Sequence, residues 1–201
     1  MNSTTVMVIV AVVVLIVVIA LISMIVRRGR SQRLKSRFGP EYERTMQETG
    51  NRTKAEKDLE SRQKRRAQLE LKPLDPGLRE RYAREWHQVQ ADFVDAPSDA
   101  VRGADQLITQ VMRERGYPTD NFEQRSSDVS VDHPGVVEDY RTAHKMSMAN
   151  RENRASTEDL RLAMTHYRSL FDDLLGKSET TRESEAAASR GERPRQQGGQ
   201  S

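Results

Sequence analysis

Hydrophobic and polar positions divide the chain into three regimes. Val6 to Val26, VMVIVAVVVLIVVIALISMIV, is a run of 21 residues with no charge, glycine or proline, and sixteen of them are Val, Ile or Leu. As an α-helix it would be about 31 Å long at 1.5 Å per residue, which matches a hydrocarbon core of roughly 30 Å. Its side chains favour insertion by about 5 to 10 kcal/mol. Val and Ile also suit strands, but a strand of this length is foreign to globular folds and lipid penalises unpaired backbone. The run is therefore expected to be a transmembrane helix over 6–26.

From Leu78 onwards apolar residues recur at helical steps. Leu78, Tyr82, Trp86, Val89 and Phe93 are 4, 4, 3 and 4 apart and share one face. Val101, Ala104, Leu107, Ile108, Val111 and Met112 form a second face, opened by Pro97, Ser98 and Asp99 and closed by Gly116 and Pro118. A third helix is expected to begin near Pro134, with Val136, Val137, Tyr140, Ala143 and His144 inward. The fourth has a capping box at Ser156 and Asp159, then Leu160, Ala163, Met164, Tyr167, Leu170, Phe171 and Leu174 at helical spacing, and Gly176 ends it. The expected fold class is all-α, with a small four-helix bundle-like domain over 78–175. Tyr117 to His133 shows no such spacing and reads as a polar loop of about 17 residues, long enough to fold against the body or carry function.

Between these regimes the chain is mostly charged. Gly39 and Pro40 are expected to break the helix leaving the span and to let a new one start at Glu41, as a swivel. Residues 53–72 are rich in helix formers with i,i+4 pairs such as Glu60 and Lys64, but apolar positions are too sparse for a coiled coil until Leu69, Leu71 and Leu74. The expectation for 38–77 is a charged helical spacer whose last turn docks on the body. KPLDPG, 72–77, marks the boundary, with Asp75 as cap and Pro76 in the first turn. Residues 176–201 are polar and contain Gly and Pro, and are expected to be disordered.

Charge changes the picture at the membrane. The chain carries a net +3, yet residues 27–37 alone carry +6 and 78–175 carry −5. Arg27, Arg28, Arg30, Arg33, Lys35 and Arg37 form a basic collar directly after the span, whereas MNSTT before it has no charged side chain. The positive-inside rule places the N-terminus (1–5) outside and the rest in the cytoplasm; an N-terminus inside with an exported domain is the alternative. A cleavable signal peptide would carry its charges before a shorter apolar core. The lipid bilayer is thus the first partner, the collar lying at its surface. An acidic body lacks the clustered basic face that nucleic acid demands, so no such partner is expected. The absence of cysteine excludes disulfides, thiolate zinc sites and Cys nucleophiles.

The motifs FGPEYERT, RERYAREWHQVQADFVDAP (79–97), VMRERGYP (111–118), SVDHPGVVEDYRTAH (130–144) and STEDLRLAMTHYRSLFDDLL (156–175) together resemble a family of uncharacterised bacterial single-pass membrane proteins. The resemblance covers nearly all of 38–175. It implies a bacterial inner-membrane location and brings no activity, substrate or catalytic residue.

Candidate chemistry starts with the histidines. None of His87, His133, His144 and His166 has Glu three residues before it, and HExxH is absent, so no metal or other cofactor is expected. His144 reads as a hydrogen-bonded core residue; His87 and His166 point away from their apolar faces toward solvent. His133, with Asp128 and Asp132, is a weak candidate for a base or metal site. The simpler reading is that Asp132, His133 and Pro134 start a helix, with Asp as cap and Pro in its first turn. No nucleophile or third partner is identifiable, so enzymatic activity is not expected. The chain reads as a membrane-tethered interaction or scaffolding protein with a protein partner; the rival is a membrane-anchored enzyme with a site around 117–134.

Overall fold

The computed structural model describes residues 3–176, the side chains of residues 3–6, 8–10 and 27 apart. Among the described residues there are eight helices and no strand, so the chain is all-α. It divides between Lys64 and Arg65 into two compact units. The tail expected to be disordered lies, from residue 177 on, outside the described residues.

In the first unit, α1 (Ser3–Phe38) extends well past the apolar run. The collar does not interrupt it: Arg, Lys and Gln are good helix formers, Gly29 keeps a helical conformation at a small cost, and the helix ends only at Gly39, which adopts φ 48°. The helix is long and apolar enough to cross a membrane. Among the described residues no protein surface buries it: residues 11–26 are exposed throughout. This separates α1 from the core helix of a soluble protein, whose apolar stripe is buried.

The break at Gly39 occurs as expected, with Pro40 rather than Glu41 as the first residue of α2 (Pro40–Thr49). The swivel and free spacer do not. Lys35 pairs with Glu43 at 2.7 Å, and Arg28 lines one groove with Met46, so α2 runs back along α1. Gly50 (φ 59°) then reverses the chain, and α3 (Arg52–Ala67) follows α1 again, with Glu56 bonded to Ser31 and Gln63 beside Leu34. Leu34, Phe38, Tyr42, Ala55 and Leu59 are buried where the three helices meet.

Five apolar side chains make a small core, and buried polar groups complete it. Glu41 is 2 % exposed, and the Arg62 guanidinium donates to it at 2.5 Å while pairing with Asp58 at 2.6 Å. Glu56 accepts from Ser31, from the Tyr42 hydroxyl at 3.1 Å and from Arg52 Nε at 2.9 Å. Burial opposes its ionisation, but the three donors outweigh burial and hold the carboxyl below the usual range. Glu60, expected to pair with Lys64, bonds Arg30 instead.

The second unit begins at Arg65, earlier than the expected boundary at 72–77. Leu69, Leu71 and Leu74 do pack on its core, but from an irregular segment after α3 has ended, not from a last helical turn. The Lys72 N–H donates to the Arg115 carbonyl at 3.1 Å and ties this segment down. Asp75 caps α4 (Pro76–Asp92), accepting from the Gly77 N–H at 2.8 Å. α5 (Pro97–Glu114) packs against α4, α7 (Val137–Arg151) and α8 (Thr157–Leu174), and α7 against α8. The expected apolar faces of α5 and α8 are buried in full, and the capping box at Ser156 and Asp159 is made. Trp86 of α4 stacks on Phe171 of α8 with ring centres 4.6 Å apart.

One element was hidden from the pattern. Residues 117–133 are not a long loop: α6 (Phe122–Asp132) occupies most of them, capped by Asn121, whose side chain accepts from the Gln124 N–H. Its buried residues are Arg125, Ser126, Asp128, Val129, Ser130 and Val131, so a polar buried surface hides the apolar spacing that marks a helix. The third helix correspondingly starts at Val137, after a turn over 134–136, and not at Pro134.

Gly116 holds the end of α5 against the irregular segment. Its φ is 93°, and a Cβ there would meet the Glu70 carbonyl oxygen at 2.8 Å. Gly116→Ala should lower stability by about 1–3 kcal/mol through left-handed strain and that contact. Urea unfolding of the full chain in detergent, followed by the Trp86 fluorescence, measures it; an unchanged midpoint would show that the segment is not held there.

Candidate functional site

The three residues singled out in the sequence come from the C-terminal half of α6 and the position after it, and each takes a different set of partners. Asp128 is 2 % exposed and accepts from Gln124 Nε2, one turn earlier, at 2.9 Å to both oxygens; Arg65 Nε stands 3.5 Å away. Asp132 is gripped by Arg66 Nε at 2.6 and 2.9 Å and by the Tyr117 hydroxyl at 2.9 Å. Burial and the Asp132 carboxylate drive the Tyr117 hydroxyl far above its ordinary pKa, so it stays a neutral donor.

His133 is neither the start of a helix nor a partner of the two aspartates. It is the C-cap of α6, 7 % exposed, with its N–H bonded to the Val129 carbonyl. Its Nδ1 lies 2.5 Å from Asp173 Oδ2 on α8, and Arg115 lies 3.5 Å from Nε2. A guanidinium can only donate, so Nε2 is the acceptor and Nδ1–H donates to Asp173. The same Arg115 group donates to the Leu174 carbonyl at 3.0 Å, at the negative end of the α8 dipole. A histidine oriented by a carboxylate has the form of a general base, but here the nitrogen that would take the proton faces a guanidinium where a base would face a nucleophile. The geometry ties the ends of α5, α6 and α8 together.

A second polar centre lies inside this unit. Asp105, on the buried face of α5, accepts from the Tyr167 hydroxyl at 3.0 Å, with Arg151 at 3.5 Å and His144 Nδ1 at 3.8 Å. His144, expected as a hydrogen-bonded core residue, is held by stacking instead: its ring lies 3.6 Å from Phe122, nearly parallel. His166, expected in solvent, is half-buried and bonds Asp139 at 2.8 Å; His87 is exposed. Of the aspartates near the start of α5, Asp92 bonds Gln88 and Asp99 pairs with Arg102. Among the described residues no group of three or more His, Asp or Glu is placed to hold a metal ion.

Sequence reasoning missed Arg66, Tyr117, Arg115, Asp173 and Asp105 as members of these clusters. Only tertiary packing brings them together, and their spacing carries no local motif. The collar is partly legible: Arg30 and Lys35 are paired with α3 and α2, while Arg28, Arg33 and Arg37 are exposed and have no carboxylate partner among the described residues. The Arg27 side chain lies outside those described. No protein-family model, curated protein or solved structure matches the chain.

Asp105 supplies a pH test. Burial opposes its ionisation, but the nearby His144 ring, the hydrogen bond from the Tyr167 hydroxyl and the Arg125 guanidinium prevail, and its carboxyl sits below the ordinary value. A folded pKa depressed in this way adds stability above the unfolded value of about 4, and that stability is lost as pH falls through the folded value. Asp105→Asn should therefore be less stable than the native chain by about 1–3 kcal/mol at pH 7, the gap closing below pH ~4. Urea midpoints from pH 7 to 3 decide it, and a gap independent of pH would rule out the carboxylate charge as its cause.

Proposed function

We propose that the protein is a membrane-tethered interaction module: α1 crosses the bacterial inner membrane with its short N-terminus outside, and the helical body, bundle-like over 78–175, recruits a protein partner on the cytoplasmic side. The observation that carries this reading is that one unbroken, uncovered apolar helix runs straight into a basic end. The charge asymmetry across the span favours the basic end inside. Holding the body at the surface raises its effective concentration for a partner there, without any chemistry of its own. The internal pairing of Asp128, Asp132 and His133 supports this over the rival enzyme, because none is left to act on a substrate.

Two substitutions separate the readings in a strain lacking the native protein. Replacing residues 6–26 by an unrelated apolar span of the same length and orientation should preserve function, and deleting them should abolish it. His133→Gln, expressed at the native level, should complement fully. Loss of function in His133→Gln with normal abundance and fold would favour the enzyme. A C-terminal reporter active only outside the cell would reverse the orientation.

A further inference from the structure

We propose that the groove between α1 and the start of α3 binds the headgroup end of one anionic phospholipid. This rests on the reading of α1 as a membrane span. The groove has a volume of about 850 Å³ and is lined on α1 by Ala20, Ser23, Met24 and Arg28 among others, and on α3 by Arg52, Thr53 and Glu56. One end is therefore apolar and belongs to the span. The other is basic and hydroxyl-bearing, and Arg28 lies two residues, about 3 Å of helix, beyond Val26. That is the depth at which phosphate groups meet the hydrocarbon.

The charges facing the groove leave a positive remainder. Arg52 is matched by Glu56, which also accepts from Ser31 and Tyr42, and Arg30 is matched by Glu60. Arg28 is exposed and has no carboxylate partner among the described residues. The first turn of α3 adds to the field. It carries no acidic residue and holds Arg52 and Lys54 against the positive end of the helix dipole, an arrangement that a bound anion relieves. A free phosphate would satisfy the basic end alone; the apolar end at Ala20 and Met24 matches the acyl chains that a phospholipid brings with it. The occupant is thus a lipid, and the collar acquires one defined position among its general surface charges.

The full chain in mild detergent, titrated separately with phosphatidylglycerol and phosphatidylcholine and read by native mass spectrometry, tests this. The expected result is one phosphatidylglycerol retained per chain in preference to phosphatidylcholine. Arg28→Gln should weaken it about five-fold, as for one basic residue at an anionic surface, Arg28→Lys should restore it, and Arg37→Gln on the same helix should leave it unchanged. Equal retention of the two lipids, equal losses in Arg28→Gln and Arg37→Gln, or displacement by inorganic phosphate would each overturn the site. Flotation with pure phosphatidylcholine vesicles tells the failures apart. A chain that floats but shows no lipid preference loses only the groove, whereas one that stays in the soluble fraction loses the membrane reading and the groove with it.

Discussion

A carboxylate taken out of water must find donors, and in a chain where 31 % of residues are charged and 5 % aromatic this requirement shapes both units. There is not enough apolar surface to close the cores alone. The first unit meets near five apolar side chains and seals itself with Glu41 on Arg62 and Glu56 on Ser31, Tyr42 and Arg52. The second has a larger apolar seam, with Trp86 against Phe171, and still buries Asp105, Asp128 and His133. Such pairs contribute little net stability compared with apolar groups of equal volume, because desolvation offsets the attraction. What they impose is register: a helix shifted by one turn would leave a buried charge alone, which costs far more than a lost apolar contact.

The same constraint explains which parts of the fold were legible in the sequence. α5 and α8 bury nearly pure apolar faces, so the 3.6-residue period gave their extent and inward residues, and α8 even announced its start through Ser156 and Asp159. α6 buries Arg125, Ser126, Asp128 and Ser130, which read as polar loop until Thr119, Gln124 and Arg65 are seen beside them. α2 and α3 failed in the same way. Their charged residues count as a solvated spacer by composition, whereas Glu41, Glu56 and Arg62 face inward. Gly39 was recognised as a breaker, but a breaker says where a helix stops and not whether the next one swings free or folds back.

The candidate site was legible as residues and not as geometry. Asp128, Asp132 and His133 are close in sequence, and proximity suggested joint action. On a helix, neighbours in sequence point in different directions, so Asp132 meets Arg66 and Tyr117 while His133, one residue on, meets Asp173 from α8. A histidine beside a carboxylate is found at catalytic centres and in structural locks alike; what separates them is the partner on the far nitrogen. Here that partner is Arg115, a group that cannot accept a proton and is itself bound to the end of α8.

On the proposed reading, consuming the titratable side chains internally and acting at a surface are two sides of one arrangement. A tether adds nothing to reactivity; it raises the chance of meeting a partner confined to the same plane, by an amount set by geometry alone. Such a molecule gains from well-packed units and would gain nothing from a poised nucleophile. The fold-back of α2 and α3 on the basic end of α1 builds a small packed unit directly beyond the span, with charged residues paired between its helices, where composition alone would leave an open spacer.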